Sequence, residues 1–164
     1  MLKIGIIGPE STGKTTLARE LAQQFNGLYV PEYAREYVER KGTTDVTWDE
    51  LCAIAKHQIE KMELIANSQK PKAFFDTELL VTKVWFDYAF GRVPDWLDEA
   101  VRRYPMDAYL LTYPDIPWVP DPARTNGSDA IRLELFNRYE AEIQALDIPY
   151  FVIRHTEEDK QTAI

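Results

Sequence analysis

Residues 2–16 read LKIGIIGPESTGKTT, and this stretch decides the fold. An apolar run ends at Gly8, and residues 8–15 fit the pattern G-x-x-x-x-G-K-S/T at every fixed position. Beyond the pattern, apolar residues recur at helical spacing, namely Leu17, Ala18, Leu21, Ala22 and Phe25. A buried strand, a glycine loop and a helix in this order are typical of a phosphate-binding loop, or P-loop.

The residues of this loop have the chemistry of an ATP site. Gly8 and Gly13 let the backbone bend closely around a phosphate chain, and successive N–H groups at a helix N-terminus favour anions. We expect Lys14, at a solvent-facing helix start, to reach the β- and γ-phosphates, and the Thr15 hydroxyl to bind Mg²⁺. ATP and Mg²⁺ are therefore the expected cofactors, and the expected nucleotide contacts in the loop are Gly8, Glu10, Ser11, Thr12, Gly13, Lys14, Thr15 and Thr16. The alternative is a chance match in a glycine turn.

Composition limits the class of protein. The chain has 164 residues, enough for one domain, with 45% hydrophobic and 28% charged residues, as in ordinary globular proteins. Its net charge of −8 disfavours partnership with nucleic acid or anionic membranes. Cys52 is the single cysteine, which excludes an internal disulfide. We see no signal peptide and no apolar run long enough to span a membrane, so we expect a cytoplasmic protein.

Hydrophobic patterning predicts five strands that alternate with helices. The strands are the apolar run before Gly8 and residues 28–30, 72–75, 108–112 and 149–153. The helices are residues 14–25, about 48–67, 78–90, 95–104 and 129–146, with a loop turning into helix over 32–37. Thr47 and Glu50 have the spacing of a capping box. Alternating strands and helices favour parallel βαβ units, so we predict an α/β, three-layer P-loop NTPase fold with a five-stranded parallel sheet.

Polar residues follow several of the predicted strands. Parallel sheets bind ligands at the carboxyl ends of their strands, where Gly8, Glu32, Asp76 and the loop from Pro114 all lie. We expect Asp76 to bind Mg²⁺ together with Thr15, although it could only cap the helix that follows. We expect Glu32 to orient or deprotonate an acceptor hydroxyl, although it could only stabilise a helix N-terminus.

Three arginines are candidates for contact with phosphate. Arg124 lies in a polar loop, about residues 121–130, which we expect to act as a mobile lid that brings the guanidinium over the transferring phosphoryl group. Arg132 is a second candidate for this role, and Arg35 could pair with Glu32 or with a phosphate. The alternative for Arg124 is a solvated arginine.

Aromatic and polar side chains near the same rim are candidates for binding a substrate base. Trp85 and Trp118 could stack on a flat ring, and a cationic ring would gain a cation–π interaction. Tyr33 offers a further face, and Asp115 offers negative charge. Gln58 interrupts an apolar helix face, which predicts that its amide points into the acceptor pocket. The alternative for the aromatic residues is a place in the core.

Several blocks carry a family resemblance beyond the P-loop. They are PEYARE at residues 31–36, Asp76-Thr77, Phe90-Gly91, Pro94 and PDIPWV at residues 114–119. With these blocks the chain resembles the NadR-like nicotinamide riboside kinases, the kinase domains of bifunctional bacterial NAD-biosynthesis regulators, from Lys3 to about Ile153. The resemblance implies a nucleoside- and nucleotide-kinase-like fold, and it implies phosphorylation of nicotinamide riboside by ATP to give nicotinamide mononucleotide.

Two departures from the family pattern are visible. The sequence has no His-x-Gly-His nucleotidyltransferase motif, so we expect the kinase step alone. Pro122 stands where the family's Asp-Gly-x-Arg lid pattern has glycine, which bears on the placement of Arg124.

The sequence therefore predicts a single P-loop kinase domain over residues 1–164 that acts on a small-molecule nucleoside. Its expected catalytic residues are Lys14, Glu32, Asp76 and Arg124, and Arg124 is also expected to contact the nucleotide. Its expected substrate contacts are Glu32, Tyr33, Arg35, Gln58, Trp85, Asp115 and Trp118. Two alternatives are a kinase for another nucleoside or small alcohol and a regulatory module that senses ATP or NAD without turnover. A GTPase is disfavoured because no Asn-Lys-x-Asp motif is present.

Overall fold

The structure is a computed structural model that describes residues 1–120 and 127–155. Its elements are β1 (Leu2–Ile7), α1 (Lys14–Gln24), β2 (Leu28–Val30), α2 (Tyr33–Lys41), α3 (Trp48–Ala66), β3 (Lys72–Asp76), α4 (Leu79–Phe90), α5 (Asp95–Arg103), β4 (Ala108–Thr112), α6 (Asp129–Ala145) and β5 (Tyr150–Ile153). The predicted strands and the helices between them are confirmed. Helix α2 is the main difference, since it continues to Lys41 and ends at Gly42, which has a left-handed φ of 78°.

The five strands form one parallel sheet in the order β2-β3-β1-β4-β5. Strand β1 is central, so the P-loop that follows it leaves the middle of the carboxyl edge. In the register of the sheet Ile6 pairs with both Asp76 and Leu110. Asp76 therefore lies beside the end of β1, directly next to the P-loop.

Helices cover both faces of the sheet, which confirms the three-layer architecture. Successive side chains of a strand point to opposite faces, and one set packs against α1 in a small cluster: Ile6, Ala18, Leu21, Ala22, Phe74, Leu110 and Ile153. The other face carries the main core, to which α3, α4 and α6 contribute residues such as Ile54, Leu80 and Leu135. Helix α4 packs against α3, α5 and α6.

The capping box predicted at the start of α3 is present. Thr47 Oγ1 accepts a hydrogen bond from the Glu50 N–H at 3.3 Å, and Glu50 Oε2 accepts one from the Thr47 N–H at 2.9 Å. Lys41 Nζ also donates to Glu50 Oε2 at 2.7 Å. These hydrogen bonds lower the pKa of Glu50 from 4.5 to about 2, and the hydrogen bond from Lys41 has the largest effect. The ionised carboxylate thereby joins the end of α2 to the start of α3.

Candidate active site

The P-loop is held against the end of β4. Gly8 has a φ of 149°, and a Cβ atom at this position would lie 2.2 Å from Thr112 Oγ1, so only glycine fits. The Thr12 and Thr112 hydroxyl oxygens are 2.6 Å apart, and Thr12 Oγ1 donates to the Pro9 carbonyl at 2.8 Å. Ser11 adopts a left-handed φ of 53°, which is uncommon for a residue with a side chain. Neighbouring elements therefore fix the shape of the loop.

Lys14 lies across the P-loop. Its Nζ donates a hydrogen bond to the Pro9 carbonyl at 2.6 Å, and the residue is 5% exposed. The prediction that Lys14 faces solvent is therefore wrong, because the side chain folds back over the loop that it follows. Lys14 nevertheless lines both of the cavities described below.

Asp76 and Thr15 form the contact that the predicted magnesium site requires. Thr15 Oγ1 donates to Asp76 Oδ2 at 2.6 Å, and the Tyr29 hydroxyl donates to the same oxygen at 3.3 Å. Asp76 Oδ1 is buried and has no hydrogen-bond partner among residues 1–120 and 127–155. A hydroxyl and a carboxylate are oxygen ligands that Mg²⁺ accepts beside nucleotide phosphates, and a buried oxygen without a partner is costly unless a ligand satisfies it. The donor set fits Mg²⁺.

The alternative role of Asp76, as the cap of the following helix, is filled by another residue. Glu78 is the N-cap of α4, and its Oε2 accepts the Leu80 N–H at 3.1 Å. The Tyr109 hydroxyl donates to Glu78 Oε1 at 3.2 Å. Glu78 is 3% exposed, and burial, the largest effect, raises its pKa to about 7. The sequence reasoning missed this buried acid, whose signal was its place immediately before an apolar helix.

A cavity of about 470 Å³ lies beside the P-loop. Its lining includes Gly8, Glu10 and Lys14 of the P-loop, and Glu32 and Arg35 at the start of α2. Its interior is largely apolar, with contributions from α2, α3, α4 and α6: Ala34, Val38, Leu51, Ile54, Val81, Trp85, Ala89, Phe90, Leu135 and Tyr139. The cavity thus combines charged groups from the P-loop and the start of α2 with a largely apolar lining that suits a flat ring.

A buried hydrogen bond joins two polar residues inside this apolar region. Thr82 Oγ1 donates to Gln58 Oε1 at 2.7 Å, and both residues line the cavity. Gln58 is therefore buried in the lining of this cavity, and its contact with an acceptor stays a prediction. Because the amide oxygen already accepts a hydrogen bond, the amide is oriented so that its nitrogen, a donor group, serves other partners. Thr82 was not identified from the sequence, although it is one of few polar residues in an apolar helix.

A second cavity of about 200 Å³, called the outer cavity here, lies beside the P-loop and the start of α1. It is lined by Ser11, Gly13, Lys14, Thr15, Thr16, Arg35, Val119 and Pro120. Lys14 and Arg35 line both cavities and so lie between them. Arg35 Nε also donates to Glu39 Oε1 at 2.8 Å. The arrangement places two cationic side chains between an outer site at the P-loop and an inner apolar site.

Three predicted substrate contacts are absent from the linings described for the two cavities. The Tyr33 ring stacks on the His57 ring, with centroids 3.7 Å apart. Asp115 accepts a hydrogen bond from the His155 N–H and contacts its Nδ1, both at 2.9 Å. Trp118 packs so closely on Gly127 that a Cβ atom there would lie 2.3 Å from the indole. Each side chain is thus engaged by a neighbouring segment, and contact of these three residues with a substrate stays a prediction.

The two candidate lid arginines have different outcomes. Arg124 and Pro122 lie outside the described residues. Arg132 is 1% exposed, is absent from the linings of the two cavities, and donates to the backbone of the P-loop. The prediction that Arg132 closes over the phosphoryl group is therefore wrong, because the side chain lies behind the loop.

Sequence comparison identifies the family to which the chain belongs. A family model described as an AAA domain, AAA_28, matches residues 3–160, nearly the whole chain. The chain belongs to the AAA_28 family. No helix in the described part of this AAA_28 chain has both the length and the apolar character needed to cross a membrane.

Two curated relatives are the trifunctional NAD biosynthesis/regulator proteins NadR of Escherichia coli (strain K12) and Salmonella typhimurium. They are 28% and 26% identical to the AAA_28 chain over 159 residues. The match covers 95% of this chain but only 38% and 39% of the relatives. The chain therefore spans less than half the length of the curated relatives that it matches.

Solved structures show the same fold. NadR in complex with NAD and AMP-PNP superposes with a TM-score of 0.75 at 24% identity, over 99% of this chain and 47% of that chain. NadR in complex with NR superposes with a TM-score of 0.76 at 24% identity, over 95% of this chain and 46% of that chain. Thymidylate kinase from Ehrlichia chaffeensis superposes with a TM-score of 0.70 at 14% identity, over 98% of this chain and 93% of that chain. The AAA_28 chain thus has the P-loop fold of nucleoside and nucleotide kinases.

Proposed function

We propose that this chain is a Mg²⁺-dependent kinase that transfers the γ-phosphoryl group of ATP to the 5′-hydroxyl of nicotinamide riboside, giving nicotinamide mononucleotide. One observation carries the proposal: an apolar cavity large enough for a nucleoside opens onto Lys14 of the P-loop, with Glu32 in its wall. A nucleoside whose ring lies in the apolar interior would present its ribose to these two residues.

The outer cavity is the proposed donor site. Its P-loop residues would bind the phosphate chain through backbone N–H groups, and Lys14 would neutralise charge on the transferring group. Thr15 and Asp76 would hold Mg²⁺, which supplies charge stabilisation to the phosphates when bound. Arg35, which lines both cavities, would contact the phosphoryl group during its transfer, and Arg124 is proposed to close over it from the lid at about residues 121–130.

The inner cavity is the proposed acceptor site. Glu32 would accept or orient the proton of the attacking hydroxyl. The Trp85 ring, in a cavity whose lining also includes Asp45, suits a ring with positive charge, as in nicotinamide riboside. The Gln58 amide nitrogen would donate to the carboxamide oxygen of that ring. The NadR structure in complex with NR supports this choice of substrate.

A phosphorylation screen tests the proposal. The purified chain is incubated with ATP, Mg²⁺ and one of nicotinamide riboside, adenosine, deoxyadenosine or thymidine, with ADP release and product mass as readouts. We expect kcat/KM for nicotinamide riboside to exceed that for the neutral nucleosides by about tenfold or more. Equal turnover of deoxyadenosine or thymidine would instead favour a general nucleoside kinase. Binding of ATP without turnover of any nucleoside would favour the sensing module.

A further inference from the structure

Arg132 makes an unusual set of contacts in the first turn of α6. Its Nε donates to the Glu10 carbonyl at 3.2 Å, and its Nη2 donates to the carbonyls of Ser11 at 3.3 Å and Ile116 at 2.8 Å. Its ion-pair partner is Asp129 at 3.3 Å, whose side chain is 96% exposed. Most of the guanidinium donors thus bind main-chain oxygens of the P-loop and of the loop after β4.

This position is costly for a cation. The residue is 1% exposed, so the charge has lost most of its water. The first turn of a helix also disfavours positive charge because of the helix dipole. A largely apolar side chain would fill the same space at lower cost, since replacing buried ionic groups with well-packed apolar ones is often neutral or stabilising. Folding alone gives little reason for an arginine here.

The bonded carbonyls belong to the peptides that shape the phosphate site. The described part of the chain has no cis peptide bond, and in a trans peptide the carbonyl and the N–H point in opposite directions. By holding the Glu10 and Ser11 carbonyls outward, Arg132 turns the N–H groups of Ser11 and Thr12 the other way. It also stabilises the left-handed Ser11, whose φ is 53°.

We propose that Arg132 is a positioning residue for polyphosphate binding, which orients the Ser11 and Thr12 N–H groups towards the phosphates and adds positive charge behind the loop. The inference rests on the proposed function only in taking the P-loop as the phosphate site. It assigns Arg132 no contact with either substrate.

Three variants test this role. Arg132→Met removes the charge and the donors while keeping a long unbranched side chain, and Arg132→Lys keeps the charge with fewer donors. Arg138→Met is the matched control, because Arg138 lies on the same helix and forms partly exposed ion pairs with Asp87 and Glu134. Calorimetry with inorganic tripolyphosphate and with AMP-PNP gives affinities, and thermal unfolding of the same samples gives the folded fraction.

We expect Arg132→Met to weaken binding of both ligands by about tenfold per folded molecule, and Arg132→Lys by about threefold. Arg138→Met should change neither affinity by more than about twofold. Wild-type affinity in folded Arg132→Met would overturn the proposal. If that variant does not fold, Arg132→Lys decides, and unchanged affinity there would overturn it equally. Tripolyphosphate carries no acceptor, so this result is independent of which nucleoside is phosphorylated.

Discussion

Thr15 Oγ1 donates a hydrogen bond to Asp76 Oδ2 at 2.6 Å, which joins the P-loop to the neighbouring strand β3. The other oxygen of Asp76 is buried and has no partner among the described residues. The hydrogen bonds of this pair therefore leave one carboxylate oxygen of Asp76 that could bind a metal ion.

Replacement of Asp76 by asparagine should weaken metal binding more than folding. The asparagine side chain would keep the size and one oxygen but lose the charge, so the Mg²⁺ concentration for half-maximal ADP release should rise by about tenfold or more. The measurement is a Mg²⁺ titration of activity. Asp49→Asn, at an exposed position in α3, is the control and should leave the titration unshifted. An unchanged metal dependence in Asp76→Asn would leave the carboxylate without a metal role.

Lys14→Met should abolish phosphoryl transfer. The side chain spans the loop to the Pro9 carbonyl and is nearly buried, so methionine keeps much of its packing while removing the charge. We expect kcat to fall by about 100-fold or more, because charge developing on the phosphoryl group loses its cation. Steady-state ADP release measures this, and Lys56→Met, at an exposed position of α3, is the matched control. Near wild-type transfer would remove the P-loop lysine from the mechanism.

Gln58→Leu should raise the KM for nicotinamide riboside and leave the KM for ATP unchanged. Leucine fills a similar volume without the donor group, so one buried hydrogen bond to substrate is lost, and we expect a rise of about tenfold. Thr82→Val removes the hydroxyl that orients the Gln58 amide, so it should give a smaller rise in the same constant. Retention of both stability and KM in Gln58→Leu would show that the amide has no function in the cavity.

Trp85→Leu should reduce the preference for the cationic nucleoside. A desolvated cation–π contact is worth about 2 kcal/mol, so the ratio of kcat/KM for nicotinamide riboside to that for adenosine should fall by up to about thirtyfold. Trp96→Leu is the matched control, because Trp96 on α5 contacts Lys56 and is not among the residues that line the cavity. A ratio that falls equally in the two variants would assign the effect to general loss of packing.

Glu78 should make stability depend on pH. Its folded pKa is raised from 4.5 to about 7, so between these values the folded state binds more protons than the unfolded state. The free energy of unfolding therefore falls as pH rises from about 4.5 to about 7. The total loss is roughly 3 kcal/mol and is complete above the folded pKa. Urea unfolding at a series of pH values should show this slope in wild type and not in Glu78→Gln, which keeps an oxygen to cap α4.

The exposed Glu99 of α5 provides the control for this measurement. Glu99→Gln should retain the wild-type slope, because it changes an exposed side chain and leaves the buried Glu78 intact. Parallel slopes for wild type and Glu78→Gln would show that the buried carboxyl is not the group responsible.

Local patterns in the sequence were sufficient for much of this molecule. The capping box of Thr47 and Glu50 is set by residues three apart, and Gly91 ends α4 because glycine readily adopts the left-handed conformation seen there, at φ 65°. The proximity of Asp76 and Thr15 also followed from the sequence, since the ends of adjacent parallel strands meet at one edge. These features depend on short-range chemistry or on the direction of strands alone.

Long-range packing explains what the sequence did not reveal. Asp115 meets His155, and Trp118 meets Gly127, because the loop after β4 folds onto segments that no periodicity links to it. Arg132 was predicted from the sequence to be a second arginine that closes over the phosphoryl group, and only the fold brings P-loop carbonyls within reach of it. A single polar residue in an amphipathic segment has no pattern that tells burial from exposure.

Arg35 gives the two cavities a common wall. A ligand in either cavity restricts the rotamers of this long side chain, and the entropy of that restriction is lost only once when both ligands are bound. Donor and acceptor should therefore bind with positive cooperativity, each lowering the dissociation constant of the other by the same factor. A single compound that links a nucleoside to a polyphosphate would occupy both cavities at once. It would gain the cooperative part of the binding free energy in one binding event and act as a bisubstrate inhibitor.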